Sequence, residues 1–134
     1  MRKIEHIGIA VKDMNESAIV FEKLFGATAY KQEEVVEEGV RVSFFSNGSS
    51  KIELLEATNP ESVIAKFIEK KGEGIHHIAF EVQDIYAEIE RLEKEGFVVL
   101  NAVPKKGADN KLVVFLHPNS TNGVLIELCQ EIAE

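Results

Sequence analysis

Two histidines and two glutamates in this 134-residue chain recur at nearly the same spacing. His77 follows His6 by 71 residues, and Glu127 follows Glu53 by 74 residues. Imidazole nitrogens combined with carboxylate oxygens suit divalent transition metals such as Co, Mn, Ni, Fe and Zn, whereas calcium prefers more oxygen ligands. The sequence therefore predicts that His6, Glu53, His77 and Glu127 bind one metal ion, which keeps open positions for a bidentate substrate.

The segments around the two histidines form an internal repeat. Residues 4–13 read IEHIGIAVKD and residues 75–84 read IHHIAFEVQD, so that Asp13 matches Asp84. Each aspartate is suited to cap a helix, and an apolar pattern of helical period follows each of them. Both halves of the chain therefore predict the same order of elements, namely a strand, a helix and three further strands.

The two glutamates fall on the last predicted strand of each half. The predicted strands that follow the helices are 29–34, 40–46 and 51–55 in the first half and 98–102, 111–117 and 123–130 in the second. The larger offset between the glutamates predicts a three-residue insertion in the turn at 117–123. Asn59 and Pro60 are expected to open a short helix between the halves.

This pattern predicts an α+β fold with one domain over residues 1–134. It consists of two tandem βαβββ modules, 1–58 and 74–134, joined by a linker helix at 59–73. The modules are expected to form one curved eight-stranded mixed sheet around the metal site, because a single half would leave one sheet face uncovered.

Side-chain alternation along the strands places small residues next to the proposed histidine ligands, which leaves room for a cavity. Gly8 and Ala10 share a face with His6, and Ala79 shares a face with His77. A carboxylate in the middle of an apolar strand is unfavourable unless it is paired or bound to a metal. His76 is expected on the opposite, bulkier face, as a hydrogen-bonded buried histidine or a surface residue and not as a ligand.

Composition excludes several other classes of protein. The net charge is −8 and no basic run is longer than two lysines, which argues against a nucleic-acid partner. Cys129 is the single cysteine, so an intrachain disulfide is excluded, and its apolar neighbours indicate a buried thiol. Without an apolar run long enough for a bilayer or a signal-peptide pattern, we expect a cytoplasmic protein with no membrane partner.

Two further motifs each have two possible interpretations. His117, in FLHP at 115–118, is suited either to orient a substrate or a ligand or to form a local hydrogen bond in a turn. The basic segment KKGA at 105–108 is suited to meet phosphates or a carboxylate, and equally to be a solvated loop.

The doubled module with ligands on its first and last strands resembles the vicinal oxygen chelate superfamily, which includes glyoxalase I, bleomycin and fosfomycin resistance proteins and extradiol dioxygenases. Within it, the sequence is most similar to the methylmalonyl-CoA epimerase family. The similar segments are HIGIAV at 6–11, GIHHIAFEV at 74–82, PKKGA at 104–108, FLHP at 115–118 and GVLIEL at 123–128. The resemblance implies metal binding by His6, His77 and Glu127, with Glu53 completing the set.

The resemblance also implies a reaction. The family interconverts (R)- and (S)-methylmalonyl-CoA in propionate metabolism by removing the C2 proton through a metal-stabilised enediolate, with Co2+ as the expected ion and Mn2+, Ni2+, Fe2+ or Zn2+ as alternatives. An acyl-CoA substrate and a homodimer are expected. Glu127 and Glu53 are the candidate catalytic acid and base.

This chain departs from the family at one point. Some members have Gln at the position of Glu53 and supply a glutamate from the neighbouring strand, but residues 39–44 read GVRVSF, without a carboxylate. Two other functions stay open: another enzyme of the superfamily, such as a glyoxalase-like lyase or a dioxygenase, or a non-enzymatic binding or resistance protein. Glu53 argues against a dioxygenase, which uses two histidines and one carboxylate.

Overall fold

The computed structural model describes residues 1–101 and 103–133, and within them the chain forms eight strands and three α-helices. In chain order these are β1 (Lys3–Ala10), α1 (Met14–Phe25), β2 (Lys31–Val35), β3 (Val40–Asn47), β4 (Ser50–Ala57), α2 (Val63–Lys71), β5 (Gly74–Glu81), α3 (Ile85–Lys94), β6 (Lys105–Lys106), β7 (Lys111–Leu116) and β8 (Ile126–Glu131). The strands form one mixed sheet in the order β2-β3-β4-β1-β5-β8-β7-β6. The predicted α+β fold with an eight-stranded mixed sheet is confirmed.

None of the helices in the described part of the chain is long and apolar enough to cross a membrane.

Internal contacts divide the chain into two compact units. One consists of Met1–His6 with His77–Glu134, and the other is Ile7–His76. Within Ile7–His76, β3 pairs antiparallel with both β2 and β4. The apolar core between these strands and α1 contains Val11, Met14, Phe45 and Leu54, with Phe21 and Phe25 of α1 packed against them.

The other unit has the same arrangement around a second helix. β7 and β8 are antiparallel, and β5 and β8 are parallel. The buried side chains that pack together here come from α3, from β7 and β8, and from the residue that follows β5; they are Val82, Ile85, Ile89, Leu92, Val114, Leu116 and Leu128. The apolar stripe that predicted the helix is therefore the face that it buries.

Equivalent hydrogen bonds confirm the internal repeat. In one unit Glu56 accepts a bond from the backbone N–H of Met14 at 2.8 Å, and in the other Gln130 accepts one from the N–H of Ile85 at 2.7 Å. Glu56 and Gln130 each lie three residues after a predicted metal ligand. The side chains of Asp13 and Asp84 accept hydrogen bonds from the backbone N–H of the third residue of α1 and of α3, as predicted for N-caps.

The three-residue insertion also lies where the spacing predicts it. Phe45 pairs with Ile52 in the first hairpin, and Leu116 pairs with Ile126 in the second. Residues 46–51 separate the first pair and residues 117–125 the second, so the second hairpin is longer by three residues.

Two predicted elements were wrong in their bounds. The predicted strand at 98–102 is reduced to an isolated bridge between Val99 and Leu116, and β6 follows it after Pro104; Ala102 lies outside the described residues. Proline cannot donate to a ladder, which limits pairing here. The helix expected from Asn59 starts at Val63 instead, because Ser62 caps it by accepting from the N–H of Ala65.

Candidate metal centre

Three of the predicted ligands lie on three strands of the unit formed by Met1–His6 and His77–Glu134. His6 lies on β1, His77 on β5 and Glu127 on β8. β5 and β8 pair with Ala79 opposite Glu127, so that His77 and Glu127 point to the same face of the sheet. All three side chains are buried, with only 5–6% of each residue exposed.

The donor atoms of these residues converge. Nε2 of His6 lies 3.0 Å from Nε2 of His77. Oε1 of Glu127 lies 3.2 Å from Nε2 of His77, and Oε2 lies 3.7 Å from Nε2 of His6. Two ligands that each lie about 2.1 Å from one ion at a right angle are about 3.0 Å apart. The spacing and the chemistry of the donor set therefore fit one divalent transition metal ion.

A carboxylate supports one of the histidines from behind. Oε1 of Glu5 lies 2.8 Å from Nδ1 of His6, and Glu5 is only 2% exposed. Glu5 was not among the predicted site residues, because neighbours on a strand are expected to point to opposite faces. The available signal was an acidic residue directly before a ligand histidine, in a strand that is apolar from Ile7 onward.

Cys129 and Phe115 complete the surroundings of the cluster. Cys129 is fully buried, as predicted, its thiol lies 3.5 Å from the carbonyl oxygen of Phe80, and its Sγ forms a second close group with Glu5 and His6. The ring of Phe115 packs edge-on against His77, with centroids 5.7 Å apart. Phe115 lies opposite Glu127 on β7, so the ladder places an apolar wall beside the ligands.

The electrostatics of the cluster favour the ionised form of Glu127. Burial by itself raises the pKa of this carboxyl group, but the hydrogen bond with His77 and the charges of His6 and His77 more than offset it, so that the pKa of Glu127 lies below its usual range. Glu5 opposes this shift through its own negative charge. Glu127 is therefore a carboxylate at neutral pH, as a metal ligand or a base must be.

Glu53 belongs to the other unit. It lies on β4 opposite Phe44 of β3 and is 4% exposed. Its neighbour Leu54 points into the apolar core against α1, so Glu53 points to the opposite face of the ladder. In the same way, Leu128 points into the apolar core against α3, so its neighbour Glu127 points to the opposite face. The participation of Glu53 in the metal centre stays a prediction of the repeat.

The remaining polar candidates have local contacts. Nδ1 of His117 accepts a hydrogen bond from the backbone N–H of Asn119 at 3.0 Å, which fits a turn residue. His76 is partly buried and lies edge-on to Phe67, with centroids 5.0 Å apart, which fits a packing residue. Lys105 and Lys106 are exposed on β6.

Known proteins resemble this chain both in sequence and in fold. Residues 5–115 match the family model of the Glyoxalase/Bleomycin resistance protein/Dioxygenase superfamily. The chain is 42% identical to the ethylmalonyl-CoA/methylmalonyl-CoA epimerase of Cereibacter sphaeroides, over 96% of this chain and 97% of the relative.

Two solved structures resemble the fold over nearly all of the chain. The methylmalonyl-CoA epimerase of Mycobacterium tuberculosis has a TM-score of 0.92 at 30% identity, covering 98% of this chain and 89% of the other. A methylmalonyl-CoA epimerase in complex with methylmalonyl-CoA and NH4+ has a TM-score of 0.92 at 34% identity, covering 99% of this chain and 96% of the other. The chain therefore belongs to this superfamily and, within it, to the methylmalonyl-CoA epimerase family. The resemblance inferred from the sequence, to a family of enzymes, is confirmed.

Proposed function

We propose that this protein interconverts (R)- and (S)-methylmalonyl-CoA by moving the proton on C2. The observation that carries the proposal is the buried convergence of His6, His77 and Glu127, in a chain whose relatives over almost its full length include proteins named as epimerases of methylmalonyl-CoA. A buried group of two imidazoles and one carboxylate suits metal-assisted proton transfer and has no evident role in a purely structural core.

His6, His77 and Glu127 would hold the divalent ion, with Co2+ first and Mn2+, Ni2+, Fe2+ or Zn2+ as alternatives. When bound, the ion supplies positive charge beside the thioester and carboxylate oxygens, where negative charge develops as the C2 proton leaves. The burial of the three ligands excludes most water from their side, which strengthens this electrostatic effect.

Inversion at C2 needs one group that removes the proton and another that returns a proton to the opposite face. Glu127 is ionised because its pKa is held below the usual range, so it is able to accept a proton. Glu53 is the second group that we propose, since it occupies the same place on β4 as Glu127 on β8. Proton removal gives an enediolate, and the two carboxylates exchange roles with the direction of reaction.

We further infer a homodimeric, cytoplasmic protein in which modules 1–58 and 74–134, joined by segment 59–73, act as one domain. Relatives of this kind commonly pair, and a short domain with long strands has sheet edges to cover. Light scattering at micromolar concentration checks the dimer, and a monomeric mass contradicts it.

The reaction is tested by incubating the protein with Co2+ and each enantiomer of methylmalonyl-CoA in deuterium oxide. We expect deuterium at C2 together with loss of stereochemical purity, read by NMR and chiral analysis. His77→Gln should abolish inversion, whereas His76→Gln, the same change one residue earlier, should retain it. Absence of both exchange and inversion with all five metals contradicts the proposal.

A further inference from the structure

The two ligand histidines occupy equivalent places in the repeat but have different neighbours. Glu5 precedes His6, whereas His76 precedes His77. His77 packs edge-on against the ring of Phe115. His6 instead has the carboxylate of Glu5 at 2.8 Å from Nδ1. The environment of the two rings is therefore asymmetric.

The contact between Glu5 and His6 determines where the imidazole proton lies. A carboxylate accepts hydrogen bonds and donates none, so Nδ1 of His6 must carry the proton that is shared with Oε1 of Glu5. When the ring is neutral, as a metal ligand must be, it has only one N–H, and Nε2 then presents its lone pair. That nitrogen is the one that lies 3.0 Å from Nε2 of His77 and 3.7 Å from Oε2 of Glu127.

Burial makes this contact selective for one ring orientation. Glu5 is 2% exposed and His6 is 5% exposed, so water has little access to replace either partner. Turning the His6 ring over would remove the donor at Nδ1 that faces Oε1 of Glu5, and losing a hydrogen bond to a buried carboxylate is unfavourable. The other tautomer would place the proton on Nε2 and so remove the lone pair that a metal ion needs.

We propose that Glu5 is a positioning residue, which fixes the ring orientation and the tautomer of His6 so that Nε2 is presented as a metal ligand. The inference rests on the proposed metal centre but is independent of the substrate. The carboxylate also makes the His6 ring more basic and thus a better electron donor, as partners of metal-bound histidines do. The role that we propose for Glu5 acts through His6 and not by proton transfer to the substrate.

The tautomer is tested directly by long-range ¹H–¹⁵N correlation spectra of the metal-free protein with ¹⁵N-labelled histidine. Spectra are recorded at about pH 8, above the ordinary histidine pKa of about 6.5. The chain has four histidines, and His76→Gln and His117→Gln each remove one signal and so help to assign His6. We expect the proton of His6 on Nδ1 in the wild type and a mixture of tautomers in Glu5→Gln.

Metal affinity gives a second measurement that needs no acyl-CoA. Titration with Co2+ in a calorimeter should show affinity about 10- to 100-fold weaker for Glu5→Gln than for the wild type. Glu5→Asp, which keeps the charge, should bind more tightly than Glu5→Gln. Glu90→Gln removes an equal charge from an exposed position on α3 and should bind as the wild type does.

The outcomes separate this inference from the proposed function. A proton on Nε2 of His6 in the wild type overturns the inference, and so does wild-type cobalt affinity in Glu5→Gln. Nδ1 protonation together with weakened cobalt binding in Glu5→Gln supports it, even if the wild type fails to invert methylmalonyl-CoA. Because the tautomer is read in the wild type, the test does not depend on whether Glu5→Gln folds.

Discussion

Oε1 of Glu127 lies 3.2 Å from Nε2 of His77, and both residues are buried on neighbouring strands that run parallel. We assign Glu127 two roles, as a metal ligand and as a base. The contact with His77 serves both, because it brings two metal-binding side chains together and it also lowers the pKa of Glu127.

Replacing Glu127 by glutamine should reduce epimerisation by a factor of about 10² to 10⁴, which is the usual contribution of a positioned acid or base. Glutamine has the same shape and can still offer an oxygen, so the fold should be retained. Chiral analysis of methylmalonyl-CoA measures the rate, and circular dichroism checks the fold. A folded variant that inverts the substrate at the wild-type rate would exclude Glu127 as a base.

Replacing Glu53 by glutamine should give a different stereochemical result from Glu127→Gln. A variant with one remaining base should remove the C2 proton only from the enantiomer that presents it to that base. It should then exchange this proton with deuterium without inverting the centre, and the two variants should act on opposite enantiomers. Mass spectrometry of each enantiomer in deuterium oxide measures this. Inversion by Glu53→Gln near the wild-type rate would restrict Glu53 to a ligand.

The stability of the metal-free protein should fall in acid partly because of Glu127. Its pKa is lower in the folded protein than the usual glutamate value, so the ionised form favours folding. That contribution is present above the unfolded-state pKa of about 4.3 and is lost as the pH falls through the lower folded-state pKa. Urea unfolding between neutral and acidic pH should show a smaller loss for Glu127→Gln. Identical pH profiles for the two proteins would contradict this role.

Removing the side-chain acceptors at the helix starts should lower stability in both units. Glu56→Ala leaves the N–H of Met14 without its 2.8 Å partner, and Gln130→Ala does the same for Ile85 at 2.7 Å. Each change should lower the free energy of unfolding by about 0.5–2 kcal/mol, as loss of a helix cap does. Urea unfolding measures the loss. Glu90→Ala, an exposed change on α3, should remain within about 0.5 kcal/mol of the wild type.

The sequence predicted most of the fold because the repeat supplied the same signals twice. Asp13 and Asp84 as N-caps, and the paired positions of His6 and His77, could be compared between halves, so that each supported the other. The start of α2 had no such counterpart, and there the Asn59-Pro60 pair was a weaker signal than the capping hydroxyl of Ser62.

Glu5 could not be predicted from alternation along the strand. Period-two patterning places Glu5 and His6 on opposite faces, whereas their side chains meet at 2.8 Å. A contact of this kind depends on the rotamers of two long side chains and on the local twist of β1, and neither is encoded in a pattern of polar and apolar residues. The strand bounds at 98–102 failed for a related reason, since pairing there depends on contacts with β7 and not on local propensity.

The unequal hairpins show that the length of this loop does not determine where the last strand of each half pairs. The second hairpin has three more residues than the first between the matched pairs Phe45–Ile52 and Leu116–Ile126. An insertion at the tip of a hairpin leaves the register of both flanking strands unchanged, so Glu127 kept its place on β8. The longer loop therefore has room for His117 and a short turn of its own, whereas the shorter hairpin closes with a tight turn at Gly48.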